Sequence, residues 1–350
     1  MKKLSKKLNV VDKRLASLIK QHVNMVEKAF LDAKKRNKNL DFQEFITSYK
    51  HKRSSSLVLM DEKKLINAIY TEVDSYLLNK YAKTKVSFLG PPATFTHQAA
   101  KNYFGSSIEL IPEKSIADVF KEVEKGNCSF GVAPVENSVE GAVNHTLDLF
   151  ISSEVHIHSE VFLSIKLNLL SNSSLKNVKC IYSRSIVFGQ CRNWLKNNLP
   201  GARLVDTTST AEAVKMIKNK KNCGAIGSSL CSQIYGVNII AEAIHDDINN
   251  MTRFLVISKK KNPKGRNNKT SIVYLVKDKP GVLFDSLKPF KKHGVNLVKI
   301  ESRPSKLRAW EYYFFADMDG YETDRKVKLA LEDLRKKCVF LKVLGSYPVS

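Results

Sequence analysis

The sequence predicts a chain of three parts: a small all-helical module, a larger α/β domain, and a compact α+β domain at the C-terminal end. Three observations predict it. Apolar residues recur at helical spacing through residues 1–83, and short apolar strands alternate with helices from Lys85 onward. A polar, breaker-rich stretch at 263–269 then precedes a final β-α-β-β-α-β order over 270–350. A length of 350 residues leaves room for two or three domains with cores of their own.

The helical module rests on three periodic runs. Leu8, Val11, Leu15, Leu18, Ile19, Val26 and Phe30 mark a helix over 4–34, and Phe42, Phe45, Ile46 and Tyr49 mark one over 41–50. Leu65, Ile66, Ile69, Val73 and Leu77 mark a third, with Asp61 as its N-cap. Lys52-Arg53-Ser54-Ser55-Ser56 reads as a loop.

In the α/β domain, Val86-Ser87-Phe88-Leu89 is a strand that ends in Gly90-Pro91-Pro92, and a helix follows from Phe95. Further strands are expected at 108–111, 129–133, 178–182, 202–205, 223–227 and 237–241. Strands alternating with helices predict parallel sheets, which bind ligands at their carboxyl ends. Gly90, Glu136, Ser183, Thr207 and Gly227 all fall at or just after a strand end. Beyond the linker, strands 271–276, 295–302, 310–317 and 339–345 with helices 282–292 and 323–336 give a ferredoxin-like order.

Composition narrows the function classes. The formal charge is +24, but it comes mostly from lysine spread along the whole chain, with no basic stripe interleaved with aromatics and no nucleic-acid-binding motif. Nucleic-acid binding is not expected; a positive field does suit an anionic substrate. The six cysteines lack metal-ligand or paired spacing and read as reduced. No apolar run reaches membrane-spanning length and no signal-peptide pattern is present, so a cytoplasmic protein without membrane attachment is expected.

The segment Asp246-Asp247-Ile248-Asn249-Asn250-Met251-Thr252-Arg253-Phe254 carries the chemistry, with a hydroxyl and a guanidinium at the mouth of an apolar strand. Threonine can donate or relay a proton, and arginine is a fork for a carboxylate. Pro134-Val135-Glu136-Asn137-Ser138-Val139-Glu140-Gly141 follows another apolar strand, and Gly281-Val282-Leu283-Phe284 precedes Glu301-Ser302-Arg303-Pro304. Together with Gly90–His97, Tyr182-Ser183, Gln190-Cys191 and Ser209–Ala213, this order resembles prephenate dehydratase with a C-terminal ACT domain, over residues 84–350.

The resemblance implies a two-lobed dehydratase domain over 84–262, like type II periplasmic binding proteins, and an ACT regulatory domain over 270–350. It implies prephenate as substrate, phenylpyruvate, CO2 and water as products, and no metal or organic cofactor. Thr252 is then the first choice for hydrogen bonding to the leaving hydroxyl, with Asn137 beside it. Glu136 is the rival acid, since burial can raise a carboxyl pKa; the alternative for Glu136-Asn137 is a helix-capping turn. Arg253 is expected to hold a carboxylate, or otherwise to pair with Asp246 or Asp247. Phe254, Ser138, Gly141, Ser183, Gln190 and Thr210 complete the expected substrate site. Where the family often reads Tyr-Ser-His-Pro, this chain reads Tyr182-Ser183-Arg184-Ser185, which alters the charge beside Ser183.

For the ACT domain, the resemblance implies phenylalanine as effector at Gly281, Val282, Leu283, Phe284, Asn296, Glu301, Ser302, Arg303 and Pro304, between subunits of a homodimer or homotetramer. Residues 1–83 resemble the chorismate mutase domain of bifunctional enzymes. The positions that carry cationic and polar pocket groups in that family align with Ser5, Val23 and Leu78, so the module is read as a degenerate mutase kept for dimerisation or stability. Two alternatives are open: a fully bifunctional mutase/dehydratase, and a non-catalytic amino-acid sensor.

Overall fold

The computed structural model describes residues 2–56, 63–277, 279–305 and 311–349. It comprises two compact units, one of residues 1–84 with 103–109 and one of residues 85–102 with 110–350. Among the described residues no helix is long and apolar enough to cross a membrane.

The first unit contains α1 (Lys2–Arg36), α2 (Phe42–Ser56) and α3 (Lys63–Ala82). Val26, Phe30, Phe42, Ile46, Val73, Leu77 and Leu78 form its buried core. Leu8, Val11, Leu15 and Leu18, expected on a buried face, are exposed. At 1.5 Å per residue α1 is roughly 50 Å long and α3 roughly 30 Å, so the N-terminal half of α1 runs past the helices that could cover it. The expected loop at 52–56 is instead the last turns of α2. Tertiary contacts override its serine-rich composition: Arg53 pairs with the buried Asp74 of α3, its Nη1 3.0 Å from Oδ1, and lies 4.1 Å over the Tyr70 ring. The side chain of Ser5, and Asp61, lie outside the described residues.

The second unit opens with β1 (Lys85–Leu89), α4 (Phe95–Phe104), β2 (Glu109–Glu113), α5 (Ile116–Glu124), β3 (Phe130–Asn137), β4 (Gly141–Ala142), α6 (Asn144–Ser152) and β5 (His156–Ser164). The chain continues through β6 (Asn168–Ser171), β7 (Cys180–Ser183), α7 (Ser185–Gln190), α8 (Arg192–Asn198), β8 (Arg203–Asp206), α9 (Thr210–Ile217), β9 (Cys223–Gly227), α10 (Ser229–Tyr235) and β10 (Ile239–Ala241). It returns in β11 (Met251–Ser258). Two sheets result, ordered β2-β1-β3-β11-β5 with β4 on β3, and β10-β6-β9-β7-β8. The chain therefore crosses between the lobes twice, at 165–167 and at 242–250.

Both sheets are mixed rather than parallel. β1 with β3, and β7 with β8 and β9, run parallel, but β11 is antiparallel to both β3 and β5, and β6 is antiparallel to β9. The sequence analysis did not mark β5 and β6: β5 carries His156, His158, Ser159 and Glu160, polar residues that give no apolar strand signal, of which His158, Ser159 and Glu160 are buried.

The last domain is β12 (Asn268–Leu275), α11 (Val282–His293), β13 (Leu297–Pro304), β14 (Tyr312–Asp319), α12 (Arg325–Arg335) and β15 (Phe340–Pro348), in the sheet order β13-β14-β12-β15. Strand alternation gives this sheet two apolar faces. Ile272, Tyr274, Ala316 and Met318 pack under the two helices with Phe290, Val327, Leu331 and Leu334. Val273, Leu275, Tyr313, Phe315, Leu344 and Tyr347 face the other way and join Val135, Leu147, Phe150, Ile157, Leu255 and Ile257 of the first lobe in one core. The expected linker is itself anchored: Asn262 is buried and donates to the His158 carbonyl at 2.6 Å.

Gly345 sits where β15 meets β5, and a Cβ there would strike the backbone of Ile157. Gly345→Ala is expected to cost about 1–3 kcal/mol, read as a lower thermal midpoint. Burial holds His22, His51, His97 and His156 below the ordinary imidazole pKa. Their neutral forms therefore contribute stability above about pH 6.5 that is lost as pH falls through their lower folded-state values. A thermal midpoint lower at pH 5 than at pH 7.5 is the expected outcome.

Candidate active site

The site grows from the shared end of β3 and β11. Their last two rungs pair Thr252 with Asn137 and Arg253 with Glu136. Residues directly opposite on an antiparallel ladder share a face, and successive residues alternate. Thr252 and Asn137 therefore lie on one face, and Arg253 and Glu136 on the other.

Asn137 organises its face. Its side-chain nitrogen donates to Thr252 Oγ1 at 2.8 Å, to Asn250 Oδ1 at 2.8 Å and, more weakly, to the Met251 carbonyl at 3.3 Å. Its Oδ1 accepts from the backbone N–H groups of Val139 and Glu140 at 2.9 and 3.0 Å, which fixes the orientation of the amide. Because Thr252 Oγ1 accepts from Asn137, the threonine O–H is left to point elsewhere. Ser138 closes the corner: its hydroxyl donates to the Asn249 carbonyl and accepts from Met251 N–H, both at 2.9 Å.

Gln190, at the end of α7 in the second lobe, reaches this cluster. Its Nε2 donates to Glu140 Oε1 at 2.7 Å, and its Oε1 accepts from Asn250 Nδ2 at 3.3 Å. Its backbone carbonyl accepts from Asp246 N–H at 2.7 Å, and the Asp246 carboxylate accepts from Asn193 N–H at 3.0 Å at the start of α8. The segment 242–250 is thus tied to both lobes. Gly141, with φ +81°, turns the chain back beside Asn137 with open space around its Cα.

The other expected residues are placed differently. Ser183 is fully buried, its hydroxyl donating to the Ile226 carbonyl at 3.0 Å. Thr210 is buried in the first turn of α9, behind the Ser209 cap. Phe254 is 1 % exposed and belongs to the interior beneath Thr252. Cys191, beside Gln190, is fully buried; burial and then the Asp246 charge push its thiol up to about 12, so it offers no thiolate. His97 accepts from Ala93 N–H through Nδ1 and stacks on Phe88.

The structure places Arg253 and Glu136, expected at the substrate, on the face opposite Thr252 and Asn137 and gives them partners there. Glu136 Oε2 lies 2.6 Å from Lys299 Nζ on β13. Arg253 is 8 % exposed, and each of its three guanidinium nitrogens has a protein partner. Its Nε donates to Glu160 at 2.9 Å, Nη1 to Asp317 at 2.7 Å and Nη2 to the Tyr347 hydroxyl at 2.9 Å. Lys269 binds the other side of Glu160 at 2.8 Å, and Ser271 donates to Asp317 at 2.6 Å while contacting Tyr347 at 2.7 Å. Two cations and two carboxylates thus balance inside the interface. Burial opposes the Arg253 charge, and Tyr347, Asp317 and Glu160 outweigh it, holding its pKa above the ordinary value. Leaving such a pair unmatched costs about 3–5 kcal/mol, which holds Arg253 on these partners. Neither Asp246 nor Asp247 is its partner.

The regulatory segments are also sorted by alternation. On β13, Val298, Ile300, Ser302 and Pro304 are exposed, whereas Lys299, Glu301 and Arg303 turn inward. Arg303 pairs with Asp148 of α6 at 3.4 Å, and Glu301 lines a cavity of about 30 Å³ with Arg253, Ser271, Lys299 and Asp317. Gly281, with φ +78°, starts α11, followed by partly buried Val282 and exposed Leu283 and Phe284. Asn296 donates to Asp319 at 2.8 Å. Asp278 lies outside the described residues.

Sequence reasoning missed Asn250 and Lys299. Asn250 is 2 % exposed and joins Asn137 to Gln190. Its position two residues before Thr252, at strand period, was the available signal. Lys299 lies between the two regulatory segments with no local mark.

A family model described as prephenate dehydratase matches residues 86–262, and one described as ACT domain matches residues 270–336. A bifunctional chorismate mutase/prephenate dehydratase from Aquifex aeolicus is 48% identical over 281 residues, covering 80% of this chain and 78% of that protein. A prephenate dehydratase from Methanocaldococcus jannaschii is 38% identical, covering 74% of this chain and 96% of that protein. The crystal structure of prephenate dehydratase in complex with L-Phe from Arthrobacter aurescens superimposes with a TM-score of 0.70 at 32% identity, covering 76% of this chain and 90% of that one. With the mixed two-lobed sheets and the Asn137–Thr252 corner, these matches place the chain in the prephenate dehydratase family, with an ACT domain at its C-terminal side.

Proposed function

We propose that Thr252 and Asn137 are the catalytic pair of a prephenate dehydratase of phenylalanine biosynthesis. Prephenate loses its ring carboxylate as CO2; the electron pair of that bond enters the ring, and the ring hydroxyl departs from the opposite carbon. Aromaticity supplies the driving force, so the enzyme has to orient the dianion and hydrogen-bond the departing oxygen. The observation that carries this reading is the 2.8 Å hydrogen bond from Asn137 to Thr252 Oγ1. It frees the threonine O–H for the leaving group and stabilises charge that grows on Oγ1 as the proton moves. Ser138, Gly141, Gln190 and Asn250 shape the surrounding polar corner, and no metal or organic cofactor enters this scheme.

The regulatory reading is that phenylalanine binds the ACT domain and lowers turnover. It draws on the complex of the Arthrobacter aurescens relative with L-Phe, and on Leu283, Phe284, Val298 and Ile300, exposed apolar residues that suit packing between subunits of a homodimer or homotetramer. A cytoplasmic setting fits this pathway role.

The helical unit is read as a mutase fold with weak or no mutase activity. Leu78 is buried, and Val23 lines a groove of about 830 Å³ that mixes apolar residues such as Ile19 and Ile69 with Lys20, Glu27, Glu72 and Lys80, Lys80 pairing with Glu27 at 2.9 Å. Lys50 and Arg53, cations that could serve a dianion, are directed at Asp74. The second reading, full bifunctionality, is favoured by the likeness to the bifunctional chorismate mutase/prephenate dehydratase of Aquifex aeolicus.

The test is phenylpyruvate formation by the purified chain from prephenate and, separately, from chorismate, with and without phenylalanine. Turnover of prephenate alone is expected; turnover of both would establish bifunctionality, and turnover of neither would favour the amino-acid sensor. Thr252→Ala and Asn137→Ala are each expected to lower kcat by about 10²-fold or more, with Thr252→Ser retaining most of it. Wild-type turnover in Thr252→Ala would remove the hydroxyl from the mechanism.

A further inference from the structure

We propose that Glu136 and Arg253 are positioning residues that connect the regulatory sheet to the catalytic pair, with Lys299–Glu136 as the movable arm and the Arg253 cluster as the fixed anchor. This inference rests on the regulatory reading above and assigns it a physical route. Each catalytic candidate has, as its chain neighbour, a charged residue bound to the ACT sheet: Asn137 follows Glu136, and Thr252 precedes Arg253. The four residues form two adjacent rungs of one ladder. A register shift between Arg253 and Phe254, where Val135 is the extra residue, separates these rungs from the rest of the sheet. A bulge beside a site re-aims the residues that follow it, so the end rungs can tilt while the core below stays packed.

The ACT side meets them with the strand that carries half of the expected effector segment. Lys299, Glu301 and Arg303 share the inward side of β13, with Lys299 on Glu136 and Arg303 on Asp148 of α6. Ile300 and Ser302, facing outward, alternate with them. An effector that shifts β13 on its outer side therefore moves Lys299 on its inner side.

The two contacts differ in strength in the way a switch needs. The Arg253 cluster is buried, with a partner at each guanidinium nitrogen, and it resists opening. The Lys299 and Glu136 side chains are 20% and 37% exposed, so water can replace each partner and the pair can break and reform at low cost. An effector acts only through a difference in affinity between two states; here the states differ in whether Lys299 holds Glu136, and so in how Asn137 presents its amide to Thr252.

The experiment uses the full chain and two readouts, prephenate turnover against phenylalanine concentration and phenylalanine binding by calorimetry. Lys299→Met is expected to bind phenylalanine and to keep kcat without effector within about threefold of wild type. The phenylalanine concentration for half-maximal effect on turnover is expected to rise at least about tenfold, or the effect to vanish. Lys299→Arg restores the response, and Glu136→Gln, from the other end of the pair, loses it while still binding phenylalanine. A Lys299→Met enzyme with an unchanged phenylalanine response overturns the inference. So does a variant that no longer binds phenylalanine, since Lys299 would then belong to the effector site. A wild-type enzyme that binds phenylalanine without any change in turnover, or does not bind it, overturns the regulatory reading itself.

Discussion

The face-to-face packing of the ACT sheet on the first lobe, sealed by the buried Arg253 cluster, is the interaction on which the rest of this unit depends. It places Val273, Leu275, Tyr313, Phe315 and Leu344 in the same core as Val135, Leu147, Phe150, Leu255 and Ile257. The β3–β11 ladder therefore has the regulatory domain as one of its walls. Apolar burial supplies the attraction, while Arg253, Glu160, Asp317 and Lys269 fix one alignment, because any slide would strand a charge away from water. Gly345 allows the strands to approach closely enough for this alignment.

The polar corner at Asn137 and Thr252 depends on that arrangement. Two strands that end together turn one rung away from the ACT sheet and hold the next against it, so a single backbone ladder joins Asn137 to Thr252 while anchoring Glu136 and Arg253. The Asn137–Thr252 side is lined mainly by neutral donors and acceptors, with the Glu140 carboxylate held by Gln190. The cluster of two cations and two carboxylates lies on the opposite face, where it organises the interface. Gln190 adds a contact from the second lobe to this polar corner.

Much of this was legible in sequence because local signals agreed with the tertiary outcome. Helical spacing located α1 and α3, and the apolar runs 86–89, 130–133 and 223–227 fall within β1, β3 and β9. The sequence failed where long-range contacts outweigh local composition. The serine-rich end of α2 is helical because Asp74 holds Arg53, and β5 is a strand because Glu160 finds Arg253 and Lys269 inside the protein. The antiparallel return of β11 was also hidden, since strand direction depends on where the chain re-enters a lobe.

By itself, the sequence determined the chemistry available: which hydroxyls, amides and charges stand at strand ends, and the family they resemble. Only the tertiary structure decided which of them meet. Thr252 and Arg253 are neighbours in the chain, yet the two-residue period of a strand sends them to opposite faces, one toward Asn137 and the other into the interface with the ACT sheet. Residues far apart in sequence, Asn137, Gln190 and Asn250, converge around Thr252 because β3 and β11 pair and α7 faces them. Proximity along a chain is fixed by covalent bonds, whereas proximity at a site is fixed by strand register and by which face of each strand is buried.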